Sequence, residues 1–174
     1  NMVRNHDKDE SELYYHECGK RGLLVWQDLP SGDTQKDPAM FLRDLQSLIF
    51  THRQHPSIVM WVVFNEGWGQ HDTQRYVDHM RGLDPTRWIG NASGWTDAKC
   101  GDVSDVHVYA GPAMARPEEK RASVLGEFGG LGLPLDGHTW AANDNWGSVS
   151  YRDRDELTRA YLARIDALRP LIAQ

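Results

Sequence analysis

Two glutamates, Glu66 and Glu127, are the residues of this sequence best placed to do chemistry. Each ends an apolar run that predicts a buried strand, and a glycine follows each within two residues. A carboxylate at a buried strand end is costly unless it is paired or used. Two carboxylates that face each other suit glycosidic bond cleavage, because one protonates the leaving oxygen while the other attacks the anomeric carbon or activates water. The alternative is that both are structural partners of arginines such as Arg4.

The run that ends in Glu66 is the most informative stretch of the chain. Residues 58–64 are seven consecutive apolar residues, and Asn65 and Glu66 follow them directly. A continuous apolar run of this length, bounded by turn residues, predicts a strand that is buried on both faces. We therefore expect this strand to deliver Asn65 and Glu66 to a site at its end.

Short strands and amphipathic helices are predicted to alternate along residues 1–174, which we interpret as one domain. The predicted strands are residues 1–6, 23–27, 58–64, 88–91, 105–109 and 123–127, and the predicted helices are 9–21, 37–52, 72–83 and 154–168. A long loop rich in Gly, Asn and Trp is expected between about 129 and 153. This order is typical of an α/β protein with a parallel sheet covered by helices.

Polar and aromatic side chains follow nearly every predicted strand. The candidate substrate-binding residues are Arg4, His6, Trp26, Asp28, Asn65, Trp95, His107 and Tyr109, together with Trp140 in the long loop. In parallel α/β proteins the carboxyl ends of the strands share one face, and ligands bind there. Tryptophan rings offer flat apolar faces to sugars, although core packing is an equally good interpretation of any single one.

Composition narrows the classes of partner. The formal net charge of −6 argues against a nucleic-acid partner, and no apolar run reaches the roughly 18 residues of a membrane span.

Cys18 and Cys100 form neither a disulfide framework nor a metal-binding spacing. His52 and His55 straddle a predicted helix end and a proline, so we interpret both as structural or surface residues. No metal site and no required cofactor are predicted; calcium or magnesium stays open, but no ligand cluster demands either ion.

Several segments together resemble a known family. They are NMVRNH (1–6), YYHEC (14–18), GLLVWQDLP (22–30), HPSIVMWVVFNE (55–66) and GEFGG (126–130). They resemble the catalytic (β/α)8 TIM barrel of glycoside hydrolase family 2, which includes β-galactosidases, β-glucuronidases and β-mannosidases. The asparagine–glutamate pair at the end of 55–66 is the most specific of these signals.

The resemblance implies a role for each matching residue. Glu66 would be the general acid/base, and Asn65 would hold the sugar 2-hydroxyl. Glu127 would be the nucleophile that forms a glycosyl-enzyme, with Tyr109 hydrogen-bonded to it and Arg4 beside it. The mechanism would be retaining, with the two carboxyl groups about 5–5.5 Å apart.

The resemblance also implies an incomplete barrel, with approximately strands 2 to 7 present. The remaining barrel and β-sandwich domains of a longer chain, or further copies in a homo-oligomer, would then be partners beside the carbohydrate substrate. The substrates would be terminal β-glycosides of the β-galactoside type, since no basic residue follows Glu127 closely enough to favour a glucuronide. The alternatives are a catalytically inactive carbohydrate-binding barrel or fragment, and an inverting glycosidase with carboxyls roughly 6.5–9.5 Å apart.

Overall fold

A computed structural model describes residues 1–140 and 149–172, so part of the predicted long loop, 141–148, lies outside the described residues. The chain forms two compact units. The first contains Asn1–Asp105 and Arg116–Val124, and the second contains Val106–Ala115 and Leu125–Gln174. Over the described ranges, no helix is both long and apolar enough to cross a membrane.

The first unit is built on a parallel sheet with helices between its strands. Its strands are β1 (Met2–Asn5), β2 (Leu24–Asp28), β3 (Ile58–Asn65) and β4 (Trp88–Ser93), and its helices are α1 (Glu12–Lys20), α2 (Pro38–His52) and α3 (Thr73–Leu83). The spatial order β1-β2-β3-β4 follows the chain, and every pairing is parallel. Both the predicted parallel sheet and its alternation with helices are confirmed.

Strand β3 is buried on both faces, which explains its unbroken apolar run. Trp61 and Val63 belong to a core cluster that also contains Leu45 and Tyr76 from the helices. The alternate positions Met60 and Val62 pack with Trp26 and Val103 in a second cluster. Since successive strand side chains point to opposite faces, both faces of β3 require apolar residues.

The start of α2 shows how local sequence sets a helix boundary. The Asp37 carboxylate accepts a hydrogen bond from the Met40 amide over 2.9 Å, and Pro38 occupies the first helical turn. This cap satisfies an amide that has no partner within the helix, and Pro38 removes one further donor. The predicted beginning of this helix at Asp37-Pro38 is therefore correct.

Strands β5 (Val103–Val108) and β6 (Ala122–Phe128) pair with each other, and each runs from the first unit into the second. The second unit also contains the parallel two-residue strands β7 (Leu131–Gly132) and β8 (Val149–Ser150), and helix α4 (Arg154–Ile172). Within this unit the Arg164 guanidinium donates to the Ala110 carbonyl. The sequence predicted only a loop where β7 and β8 form, because a two-residue strand has no periodicity to detect.

Candidate active site

A charged network centred on Asp28 lies at the carboxyl ends of the first two strands. Arg4 donates twice to the Asp28 carboxylate, from Nε over 3.2 Å and from Nη2 over 2.7 Å. His6 Nδ1 lies 3.2 Å from Oδ2, and the Asp7 amide donates to the same oxygen over 3.3 Å. The Asp28 side chain is only 1% exposed. Its burial is therefore compensated by a guanidinium and by directed donors.

Arg4 also connects this network to the end of β3. Its Nη2 donates to Asn65 Oδ1 over 2.8 Å. A guanidinium only donates hydrogen bonds, so the carboxamide oxygen must face Arg4 and the Nδ2 group is the donor end of Asn65. The main-chain amide of Asn65 in turn donates to Ser31 Oγ over 3.3 Å. Asn65 is thus held in one orientation directly before Glu66.

Glu66 lies in a tight turn with left-handed backbone geometry. Its φ is +52° and that of Gly67 is +83°. The Trp68 amide donates to the Asn65 carbonyl over 2.9 Å, which closes the turn, and the Glu66 amide donates to the Ser93 carbonyl over 2.7 Å. Positive φ at both central residues is the pattern of a type I′ turn. A non-glycine residue with this geometry is uncommon, and such strain is concentrated at functional sites.

A groove of about 550 Å³ opens beside this turn. It is lined by Asp7, Ser31, Gly32, Asp33, Gln35, Asn65, Gly67, Trp68 and Gly69. These residues lie at or directly after the carboxyl ends of β1, β2 and β3, where parallel α/β proteins bind ligands. The Trp68 side chain is 63% exposed and provides an apolar face among carboxylates and amides. The groove therefore combines stacking and hydrogen-bonding groups in one place.

Of the nine residues that line the groove, only Asn65 was predicted as a site residue. The eight that were not predicted are Asp7, Ser31, Gly32, Asp33, Gln35, Gly67, Trp68 and Gly69. They lie in loops or, for Gln35, in the short 3-10 helix Thr34–Lys36, where neither strand nor helix periodicity marks a side chain as inward-facing. Trp68 carried a usable signal, because it stands between two glycines directly after Glu66-Gly67.

In the second unit, two side chains contact or approach Glu127, which lies on β6. His107 comes from β5, and Tyr109 is the residue directly after that strand. Tyr109 Oη donates to Glu127 Oε2 over 2.5 Å. His107 Nδ1 lies 3.7 Å from the same oxygen, and its side chain is fully buried, whereas Glu127 is 28% exposed. His107 and Tyr109 are two residues apart and therefore face the same side of the strand. The hydrogen bond expected between Tyr109 and Glu127 is present.

The remaining predicted tryptophans differ in exposure. Trp26 is 6% exposed and packs in the core, with its ring centroid 5.5 Å from the Arg4 guanidinium carbon. Its interior position does not offer an open stacking face. Trp95 is 58% exposed and Trp140 is fully exposed. The predicted closeness of Arg4 to Glu127 stays a prediction, as does the predicted separation of the two catalytic carboxyls.

Comparison with known proteins adds an independent observation. The sequence model described as "Glycosyl hydrolases family 2, TIM barrel domain" matches residues 9–123, which include β2, β3, β4 and Glu66. The chain belongs to glycosyl hydrolase family 2. Its fold is that of a TIM barrel, of which β1, β2, β3 and β4 form an open parallel segment. The predicted range of barrel strands, 2 to 7, stays a prediction.

Individual members of family 2 resemble this chain over part of their length. A β-galactosidase of Thermoanaerobacterium thermosulfurigenes is 25% identical over 135 residues, which cover 72% of this chain and 18% of that protein. β-Mannosidase B of Emericella nidulans is 30% identical over 92 residues, covering 46% of this chain and 10% of that protein. The structure of a β-D-glucuronidase from Dictyoglomus thermophilum aligns with a TM-score of 0.55 at 25% identity, over 63% of this chain and 24% of that one. The chain thus spans between 10% and 24% of the length of these relatives.

Proposed function

We propose that the protein is a retaining glycoside hydrolase that cleaves terminal β-glycosides through Glu66 and Glu127. The Glu127 carboxylate attacks the anomeric carbon while the Glu66 carboxyl protonates the glycosidic oxygen, and the aglycone leaves. Glu66, now ionised, removes a proton from water, whose oxygen attacks the same carbon and releases Glu127. Two inversions give net retention of configuration, and the cycle requires no cofactor.

The observation that carries the proposal is the placement of Glu66. It follows a carboxamide that Arg4 holds in one orientation, in a left-handed turn at the carboxyl end of a buried parallel strand. This strand lies within the residues that match family 2. The donor end of Asn65 is suited to a sugar hydroxyl oxygen, and the strained turn fixes the backbone of the proton donor.

The surroundings of Glu127 support its role as nucleophile. A phenol O–H that donates to a carboxylate stabilises its ionised form, which is the form that attacks. Tyr109 supplies this donor, and the buried His107 ring lies close to the same oxygen. We propose that both side chains position Glu127 for in-line attack.

The proposed substrate is a β-galactoside or a similar terminal β-glycoside that enters the groove beside Trp68. Named relatives act on galactosides, mannosides or glucuronides, so the family does not fix the sugar. The residues that follow Glu127 lack the nearby cation that a glucuronide carboxylate would favour. We propose a carbohydrate as partner, with further domains of a longer chain or a second copy, and neither nucleic acid nor membrane.

The test is a panel of nitrophenyl β-galactoside, β-mannoside, β-glucoside and β-glucuronide, assayed with the wild type and with Glu127→Gly. We expect fastest release from the β-galactoside, loss of turnover in Glu127→Gly, and rescue by azide with an α-glycosyl azide as product. Glu119→Gly, which changes an exposed glutamate, should keep wild-type turnover and show no azide effect. Inversion in the wild-type product would overturn the retaining mechanism. Sugar binding without any turnover would favour the inactive carbohydrate-binding barrel, to which the exposed Trp68 and Trp95 are equally suited.

A further inference from the structure

A cluster of ionisable side chains lies outside the candidate active site and shares no residue with it. Helix α1 contributes Glu12, and the end of α2 with the residues after it contributes His52 and His55. Glu12 Oε1 lies 2.9 Å from His52 Nδ1, and Glu12 Oε2 lies 2.8 Å from His55 Nε2. One carboxylate therefore contacts two imidazoles, and one ligand atom from each residue lies within 4.8 Å of the others.

The orientation of His52 is set by a second carboxylate. His52 Nε2 lies 2.8 Å from Asp9 Oδ1, and the imidazole is buried with 3% of its side chain exposed. A neutral imidazole that donates from Nε2 carries its lone pair on Nδ1. Nδ1 is fully buried and makes no hydrogen bond to any described group, although Glu12 Oε1 is near. A buried nitrogen lone pair beside a carboxylate oxygen is repulsive unless a proton or a metal ion lies between them.

We propose that Glu12, His52 and His55 bind a divalent transition-metal ion, for which Zn²⁺ is the best chemical match. Two imidazole nitrogens and one carboxylate oxygen are ligands that zinc accepts, with a fourth position open to water. The contact of Asp9 with the far nitrogen of His52 is the arrangement by which carboxylates orient metal-binding histidines.

The present distances require only a small adjustment. Zinc bonds of about 2.0–2.1 Å at tetrahedral angles place neighbouring ligand atoms roughly 3.3 Å apart. The Glu12 oxygens are 2.9 and 2.8 Å from their histidine partners, so the carboxylate has to retreat slightly. It has room to do so, because the Glu12 side chain is 54% exposed. The two histidines, which are largely buried, can stay in place.

The proposed metal site would have a structural role. The metal would join the first turn of α1 to the connection between α2 and β3. Because the ion binds the folded chain, it should raise thermal stability by mass action. The His52/His55 spacing alone gives no sign of this site, since the third ligand lies forty residues earlier in the chain.

The test titrates the metal-free full chain with ZnCl₂ by calorimetry and records its melting temperature with and without the ion. We expect one equivalent to bind and the melting temperature to rise. Glu12→Gln and His55→Ala should weaken binding about ten-fold or more, and Asp9→Asn by roughly 10–100-fold through the orientation of His52. His16→Ala, which removes an exposed histidine from the same helix, should bind as the wild type does. Equal binding by all variants, or binding without a rise in melting temperature, would overturn the proposal.

A spectroscopic measurement on the wild type keeps the test decisive if a variant does not fold. Zinc-edge X-ray absorption of the one-equivalent complex should show two imidazole ligands and a short oxygen shell. A spectrum with one imidazole or none would place the ion elsewhere and contradict the site.

Discussion

The Tyr109 hydroxyl donates to Glu127 Oε2 over 2.5 Å, and the buried imidazole of His107 lies 3.7 Å from the same oxygen. His107 lies on β5, Tyr109 directly follows that strand, and β5 pairs with β6, which carries Glu127. The proposed nucleophile is therefore held by side chains whose positions depend on regular secondary structure. Sites built on strands hold their geometry better than sites built on loops.

Tyr109→Phe should lower kcat/KM for the best nitrophenyl glycoside by roughly 10- to 100-fold. The lost bond is one to a charged group, which contributes about 1.5–3 kcal/mol. The melting temperature should change little, because the ring is retained. Tyr161→Phe, which alters a 56% exposed tyrosine of α4, is the matched control and should keep full activity. Equal activity of the two variants would show that the Tyr109 hydroxyl does not act on Glu127.

Asp28→Asn should reduce the free energy of unfolding by about 3–5 kcal/mol. The substitution removes the countercharge of Arg4, whose side chain is 11% exposed, and breaking a buried ion pair on one side leaves an uncompensated charge. Urea denaturation measures the difference. The control is Asp33→Asn, whose carboxylate is 70% exposed and pairs with Lys36. It should change stability by less than about 1 kcal/mol. If the two variants unfold at the same urea concentration, the Arg4–Asp28 pair does not stabilise the strand ends.

The loop after Glu66 should not tolerate a side chain at position 69. A Cβ on Gly69 would lie 2.0 Å from the Gly32 carbonyl oxygen, and φ there is +65°. It would also lie 2.5 Å from the Ser31 carbonyl oxygen. Both contacts are with backbone atoms, so Gly69→Ala should cost more than the roughly 1–2 kcal/mol of the left-handed conformation alone. Gly82→Ala in α3 meets no atom within 4 Å and should stabilise the protein by about 0.5–1 kcal/mol. Thermal melting measures both variants, and the melting temperature should fall for Gly69→Ala and rise for Gly82→Ala. A rise for both would contradict the close approach of position 69 to the Gly32 carbonyl oxygen.

The ion-pair cluster around Arg121 predicts how stability depends on pH. Arg121 is 7% exposed, and its Nη atoms donate to the two oxygens of Asp97 over 2.8 Å each and, from Nη2, to Glu118 over 2.6 Å. The bond from Arg121 holds the pKa of Asp97 far below its usual value of 3.8, and likewise lowers the pKa of Glu118 from 4.5. A carboxyl with a depressed folded-state pKa contributes stability above its unfolded pKa, and this contribution is lost as the pH falls.

The wild type should therefore lose stability progressively as the pH falls below about 4.5, where the unfolded carboxyls bind protons first. Arg121→Met should be less stable at pH 7 by about 3–5 kcal/mol and should show a shallower loss on acidification. Lys120→Met, at the exposed preceding position, should follow the wild-type curve. Urea unfolding between pH 2.5 and 7 measures the slopes, and parallel curves for Arg121→Met and the wild type would contradict this account.

The parts of the structure that could be predicted are those whose cause is local. The apolar run of β3 and the Asp37-Pro38 start of α2 each carry their own signal, and both formed as expected. Asn65 and Glu66 were predicted as a pair because they directly follow that run. The two-residue strands β7 and β8 were not, because pairing rather than propensity creates them.

Other long-range contacts of the site were not predicted, although the bond from Tyr109 to Glu127 was expected from the family resemblance. The contacts of Arg4 with Asp28 and Asn65 were not predicted, and its expected position beside Glu127 stays a prediction. These contacts depend on the register of three parallel strands, which no local pattern specifies. The position of Trp68 in the groove could not be predicted either, because it follows from the turn at Glu66.

The most direct test of the proposed mechanism is to trap its covalent intermediate. The protein is incubated with a 2-deoxy-2-fluoro glycoside of the preferred sugar, digested, and mapped by mass spectrometry. The double-displacement mechanism predicts one added fluoroglycosyl group per chain, on the peptide that contains Glu127, and none in Glu127→Gly. Rapid turnover of natural substrate by the wild type with no adduct, or with an adduct on another carboxylate, would contradict the assignment of Glu127 as nucleophile.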